Sequence, residues 1–438
     1  MAGQLPMSRF MKGIVAPAIM LASIPQPVLA YSLGHSDPKA TGFSAAGLDR
    51  VTDFFEDEVR TGRIPGAIVL IQRNDKAAYF EGFGVRDPAT KTPMTPDTIF
   101  RIYSMTKPVV SVAAMMLVEE GRLALDEPLS TYIPSFANMK VGVERKGVDG
   151  KIELELVEAD RPITIQDLMR HTSGIVYGFF GADTVNKMYL RAGLFDPLTL
   201  SNEEYVERVA KLPLRNQPGT TWDYGYGTDV LGRVVEIVSG QSLYGFLKDR
   251  LFDPLGMNST SFYVADQAKF PMVAEPFPKD RFVSATTGMN DPREPRKWES
   301  AGGGLVSTPV DYLRFAQMLL HGGALDGKRY LSPKTVAFMT SNHIGPSTNI
   351  KPNAATQNAL MGVGYGFGLG FAVRTDPGDS PKIGSVGEFS WLGFAGTEFW
   401  VDPKEGMIAI MMTQTMSGQQ RIRMRQRFHN LVYGAFEK

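Results

Sequence analysis

The hydrophobic pattern changes character along the chain. Over residues 46–63 the apolar positions Leu48, Val51, Phe54, Phe55 and Val59 recur at helical spacing, and Ile64-Pro65-Gly66 closes the run. Residues 67–72 and 77–83 read as two strands joined by the turn formers Asn74 and Asp75. Residues 108–120 are apolar on nearly every side, the pattern of a helix buried in a domain centre, with Pro108 tolerated in its first turn. From about 125 to 301 the pattern breaks into helical pieces separated by long polar loops, among them the proline-rich stretch 270–295. Asp149-Gly150, between two alternating runs, predicts a small hairpin. The polar segment 343–361 reads as a long loop. Strand patterns return over 367–373, 396–401 and 407–412, and residues 418–435 form a basic amphipathic helix. The two ends of the chain are therefore expected to build one sheet.

Length supports this division, because 438 residues exceed what one hydrophobic core usually holds. The expected organisation is an α/β lobe from 31–124 and 302–438 and a mainly helical lobe from 125–301. Hydrophobic residues at 43% and charged ones at 21% describe an ordinary globular protein, and equal numbers of basic and acidic residues, 46 each, argue against nucleic acid as a partner. With no cysteine, disulfides, thiolate metal sites and a cysteine nucleophile are excluded. The five histidines are not spaced as ligands, so no metal or other cofactor is expected. A Gly-x-Ser-x-Gly elbow is also absent. Arg9 and Lys12, the apolar run 13–23 and Val28-Leu29-Ala30 read as a signal peptide over 1–30. That implies export to the periplasm or beyond, with no membrane span left in the mature chain; a cytoplasmic protein with a loose N-terminal tail is the alternative.

Candidate chemistry begins at Ser104-Met105-Thr106-Lys107, where the apolar helix starts. Serine and lysine three apart share a helix face, so the amine can reach the hydroxyl and take its proton. A buried helix would desolvate Lys107 and favour its neutral, proton-accepting form. The tetrapeptide alone is weak evidence: the pattern recurs at Ser36-Asp37-Pro38-Lys39, where the polar surroundings mark it as coincidence, and at Lys107 a lysine merely solvating a helix start is an equal alternative. A Ser-Lys pair also needs a partner to carry the proton to the leaving group. Tyrosine suits this role if a nearby cation lowers its pKa, and Tyr224 lies in the segment Pro218-Gly219-Thr220-Thr221-Trp222-Asp223-Tyr224-Gly225-Tyr226.

Ser104-Met105-Thr106-Lys107, His171-Thr172-Ser173-Gly174, the segment from Pro218 through Tyr224 to Leu231-Gly232, Asp253-Pro254-Leu255-Gly256-Met257, Gly302-Gly303-Gly304-Leu305 and Trp391-Leu392-Gly393 together resemble a known family in order and spacing. It is the class C β-lactamase-like serine hydrolases, and most nearly the carboxylesterases called family VIII. The resemblance spans about 46 to 436. It implies an α+β fold of the β-lactamase/DD-peptidase kind: an antiparallel sheet flanked by helices plus a mainly helical lobe, with the active site between them. It further implies Ser104 as acylated nucleophile, Lys107 as its activator and Tyr224 as general base and acid. The backbone N–H groups of Ser104 and Phe394 would form the oxyanion hole.

Two departures bear on substrate. Tyr226 stands where β-lactamases and DD-peptidases carry an amide-binding asparagine, and Trp391-Leu392-Gly393 stands where they carry Lys-Thr-Gly. Without that cation a substrate carboxylate is poorly held, so an uncharged acyl group is expected. The pocket expected from the motifs is aromatic, with Met105, Tyr177, Phe179, Phe180, Tyr226, Phe389, Trp391, Leu392 and Gly393 as its lining. His171 is expected to brace a turn by hydrogen bonding, and Asp229 and Glu236 are expected to be surface or structural charges. The leading expectation is cleavage of small-molecule carboxylic esters through an acyl-enzyme, in which Lys107 and a partly ionised Tyr224 take the serine proton, with weak β-lactamase activity as a side reaction. The alternatives are a peptidase, amidase or β-lactamase, an acyltransferase, and a ligand-binding homologue without turnover.

Overall fold

The computed structural model describes residues 1, 3, 37–194, 198–278, 280, 291–346 and 348–437. The leader expected over 1–30 lies outside them, positions 1 and 3 apart, as does Ser36 of the second Ser-x-x-Lys copy. Leu33–Lys438 form one compact unit.

Helix α1 (Ala45–Arg60) begins where the Ser44 side chain accepts the Gly47 N–H and buries Leu48, Val51 and Phe55. Strands β1 (Gly66–Arg73) and β2 (Lys76–Asp87) follow, turning through Asn74 and Asp75 at φ 49° and 61°, the paired left-handed conformation of a tight hairpin. A short β3 (Thr92–Pro93) adds an edge. Helix α2 (Thr106–Glu119) is buried continuously from Thr106 to Leu117. The helices that matter most for the site are then α3 (Gly227–Ser239) and α4 (Pro309–Leu320). The chain closes with β4 (Tyr365–Phe367), β5 (Ala372–Arg374), β6 (Phe389–Leu392), β7 (Glu398–Asp402), β8 (Met407–Thr413) and α5 (Gly418–Tyr433).

The eight strands form one antiparallel sheet in the order β4-β5-β6-β7-β8-β1-β2-β3. Its centre joins the two ends of the chain, with Ala67 opposite Thr413 and Arg73 opposite Met407. The central strands are apolar at consecutive positions because both faces are covered. Val69, Ile71, Ala409 and Met411 pack with Phe55 of α1 and Phe428 of α5. Ile68, Leu70, Ile408 and Ile410 share the other core with α2 and α4. The fold is α+β.

Asp149-Gly150 does turn a hairpin, Lys140–Lys146 against Ile152–Glu158. The strand expected over 367–373 is instead two strand ends around a turn in which Gly370 takes φ 95° and Gly368 N–H donates to the Phe371 carbonyl. The expected loop 343–361 carries structure: Lys351 and Pro352 pair with Thr221 and Trp222, and Ala354–Leu360 is helical. Among the described residues no helix is long and apolar enough to cross a membrane.

Candidate active site

Ser104 sits in a single 3-10 turn, Tyr103–Met105, that leads into α2. The approach is held on both sides. Phe100 and Arg101 pair with Ser307 and Val306, Ile102 N–H donates to the Leu305 carbonyl at 3.1 Å, and Tyr312 of α4 donates its hydroxyl to the Met105 carbonyl at 2.9 Å. Tyr103, immediately before the serine, takes φ 44°, an uncommon conformation for a bulky residue and a strained one. Opposite Ser104 the turn after β6 presents Phe394, whose ring meets that of Tyr103 edge-on at 6.0 Å. Gly393 allows this approach, since a Cβ there would lie 2.4 Å from the Ile102 carbonyl oxygen and 2.0 Å from Thr397 Oγ1.

Lys107 is fully buried one turn below. Its Nζ lies 3.4 Å from Ser104 Oγ, 3.1 Å from the Tyr177 hydroxyl and 2.5 Å from the Gly302 carbonyl oxygen. Burial pulls its pKa down to about 7, with the Asp229 carboxylate opposing the shift. Tyr224 stands just before α3. It is hydrogen-bonded to Ser104, accepts the Trp391 Nε1–H at 3.3 Å, and turns its ring face toward the Lys107 amine, 4.6 Å from the centroid. Ser104, Lys107 and Tyr224, more than a hundred residues apart along the chain at the extremes, therefore meet.

One expectation about this trio needs correction. Burial pushes the Tyr224 phenol up, and the hydrogen bonds from Ser104 and Trp391 offset only part of that, so Tyr224 is neutral in the free protein. His171 also differs from expectation, while Asp229 is a structural charge, one of the two roles expected of it. Asp229 is buried beneath the site, where it accepts from Ser300 Oγ at 2.7 Å and Gly302 N–H at 3.0 Å, and burial raises its pKa. Glu236 is structural, accepting from Asn202 Nδ2 at 2.8 Å and Leu243 N–H at 3.1 Å. Both ring nitrogens of His171 are buried without a hydrogen-bond partner among the described residues. The brace at that turn is its backbone, at φ 56° with the carbonyl accepting Asp223 N–H, together with the ring packed 4.6 Å from that of Tyr224. Burial keeps this imidazole neutral.

The trio opens into a cavity of about 280 Å³. Tyr177, Phe179, Phe180, Tyr226 and Leu392 line it as expected. Met105, Phe389, Trp391 and Gly393 do not. Side chains alternate along β6, so Phe389 and Trp391 face the core, against Phe371 and Phe367 respectively, while Leu392 faces the cavity. Met105 points into the core below α2. The wall also contains Tyr103, Trp298, Leu360, Ile422 and four arginines, Arg101, Arg296, Arg421 and Arg425, none of them expected. Arg421 and Arg425 are spaced i, i+4 on α5, a sign visible in the sequence that marks one helix face without saying what it meets.

The geometry has counterparts among known proteins. The model of the Beta-lactamase family matches residues 51–433. The chain belongs to the β-lactamase family. This β-lactamase-family chain is 36% identical to Protein Rv1367c of Mycobacterium tuberculosis, over 81% of its own length and 86% of that protein's. It is 29% identical to Esterase EstB of Burkholderia gladioli, covering 89% and 97%. Among solved structures it superposes on EstCE1, described as a hydrolase with promiscuous acyltransferase activity, with a TM-score of 0.72 and 27% identity over 89% of this chain and 100% of that one. No group of metal-binding side chains occurs among the described residues of this family member.

Proposed function

We propose that the protein hydrolyses carboxylic esters through an acyl-enzyme on Ser104. The observation that carries the reading is the valence of the Lys107 amine. A neutral amine has two hydrogens and one lone pair. The Gly302 carbonyl and the Tyr177 hydroxyl take the two N–H bonds, which leaves the lone pair for the Ser104 proton. With a pKa near 7, about half of the amine is already free at neutral pH, so a large share of the protein holds the base ready.

In the first step Lys107 takes the Ser104 proton, Oγ bonds to the ester carbonyl carbon, and the backbone N–H groups of Ser104 and Phe394 hold the oxyanion. Preorganised donors of this kind contribute roughly 3 kcal/mol each. Tyr224 then gives its proton to the departing alkoxide as the carbon–oxygen bond breaks, and regains one from Lys107. In the second step the pair removes a proton from water, hydroxide adds to the acyl carbon, and Ser104 leaves with its proton restored. Esters are favoured over peptides because Tyr226 and Trp391 replace the groups that would bind an amide and a carboxylate, and because EstB bears the name esterase.

Intact-mass measurement after mixing with a chromogenic ester tests this. The expected result is a transient adduct on Ser104 with release of acid, and no adduct in Ser104→Ala with at least a ~1000-fold loss of turnover. Full activity of the alanine variant overturns the assignment. A second reading, transfer of the acyl group to an alcohol, is supported by the likeness to EstCE1, a hydrolase with promiscuous acyltransferase activity. An added alcohol that diverts the acyl-enzyme to a new ester distinguishes it.

A further inference from the structure

The four arginines of the cavity differ in what neutralises them. Arg101 forms an ion pair with Glu275 at 3.5 Å and donates to the Ala274 carbonyl at 2.9 Å. Arg296 donates to the Asp291 carbonyl at 2.6 Å. Arg425 donates Nη2–H to the Gly393 and Thr397 carbonyls, and its buried Nε has no partner among the described residues. Arg421 has no side-chain hydrogen bond or ion pair among the described residues. Its guanidinium lies 4.5 Å from the centroid of the Phe394 ring. The carboxylate that most affects it is Asp280, already engaged by Thr415 Oγ1 at 3.1 Å and Met416 N–H at 3.3 Å. Partial burial and the neighbouring charge of Arg425 pull Arg421 down to about 10, which the Tyr103 and Asp280 groups only partly offset.

Tyr103 completes the corner. Its hydroxyl is buried and unpartnered among the described residues, and Arg101, Arg296 and Arg421 all act on it electrostatically. A buried O–H without an acceptor beside a guanidinium without an ion pair, both among the described residues, is a costly combination that an anionic group reaching both would relieve. The first turn of the 16-residue helix α5, which supplies Gly418 and Arg421 to the wall, adds its positive end. Because Tyr103 adjoins Ser104, the corner is within a short substrate's reach of the nucleophile.

We propose that this corner is a carboxylate subsite, in which Arg421, Arg296 and the Tyr103 hydroxyl hold one anionic group of a small ester whose carbonyl lies at Ser104. It rests on the ester-hydrolase reading and makes it specific: the preferred substrates are monoanions. The absence of a lysine on β6 pointed toward uncharged substrates; the cation arrives from α5 instead. The competing explanation is that Arg421 merely stacks on Phe394 and shapes its turn.

Two matched pairs of esters, given to the full chain, decide between these. On the acyl side they are the para-nitrophenyl monoester of glutaric acid and para-nitrophenyl pentanoate; on the alcohol side, para-acetoxybenzoate and phenyl acetate. The expected result is a higher kcat/KM for the carboxylate-bearing member of at least one pair. Arg421→Met should lower that ratio by roughly tenfold, the size of one charge-assisted contact, and Arg421→Lys should restore part of it. Tyr103→Phe should lower the same ratio by a smaller factor. If Arg421→Met slows both members of each pair equally, or the wild type shows no preference in either, the subsite does not exist and stacking is the role of Arg421. If none of the four esters acylates Ser104, the ester-hydrolase reading fails instead. The subsite then stands or falls on calorimetric binding of monoethyl glutarate, which Arg421→Met must abolish.

Discussion

Lys107 shows how one buried residue sets both chemistry and pH response. An apolar helix around an amine removes its hydration, and the neutral form is what a base requires. Acylation therefore depends on the fraction of Lys107 that has lost its proton, which rises with pH up to about 7 and then saturates. Below that point kcat/KM for a neutral ester should fall about tenfold per pH unit, and above it should stay level while the Tyr224 phenol keeps its proton. A flat profile between pH 5 and 8, with the protein still folded, contradicts this use of the amine; those limits bracket the expected inflection by roughly a unit or more. The desolvation of Lys107 was legible in the sequence because it needs only the composition of residues 108–120. The protonation of Tyr224 was not, since it depends on what packs around the phenol, and here that is Trp391 together with the rings of His171 and Tyr177.

At the scale of elements, period and chemistry were readable while facing was only partly so. The α1 helix, the β1–β2 hairpin, α2 and α5 appear within a few residues of their expected limits, because each carries a sustained apolar period and its glycines and proline fall where they do not interrupt it, as Pro108 does in the first turn of α2. Residues 367–373 misled because Gly368 and Gly370 permit a turn inside an otherwise apolar run. The helix Ala354–Leu360 was hidden in polar sequence. It is stabilised from outside, where Asp223 receives hydrogen bonds from Asn353 at 3.3 Å and Thr356 at 3.1 Å. On β6 the motif Trp391-Leu392-Gly393 was located correctly, yet only Leu392 lines the cavity; alternation sends Trp391 to the core, where it holds Tyr224. Gly393 acts through contact distance. Gly393→Ala forces a Cβ against the Ile102 carbonyl and Thr397 Oγ1, so the Phe394 turn must retreat from Ser104. The expected result is a drop in kcat of roughly 100-fold with a smaller change in KM, as for loss of one oxyanion donor. An alanine variant with wild-type kcat would show that the turn does not need this approach.

For the whole molecule, the decisive fact is that β1 and β8, from opposite ends of the chain, are neighbours at the centre of the sheet. Neither end completes that sheet alone, and the core beneath it does not stop at the sheet. One continuous apolar cluster runs from Ile68, Leu70 and Ile410 through Val109 and Val112 of α2 to Leu168, Val230 and Phe246 in the helical region. A helical region with its own closed core would unfold in a separate step; one that borrows α2 as a shared wall should not. Guanidinium unfolding followed by ester hydrolysis, far-ultraviolet circular dichroism and tryptophan fluorescence is therefore expected to give coincident midpoints. The fluorescence samples both regions, with Trp222 and Trp298 on the helical side and Trp391 and Trp400 in the sheet. Loss of hydrolysis well before the spectroscopic transitions would mean that the cavity opens while the sheet persists. Two resolved spectroscopic transitions would mean that the helical region is thermodynamically independent. In either case the shared cluster around α2 does not couple the two regions as tightly as its burial indicates, and Lys107, which owes its low pKa to that burial, would lose its proton affinity control in the same partially open state.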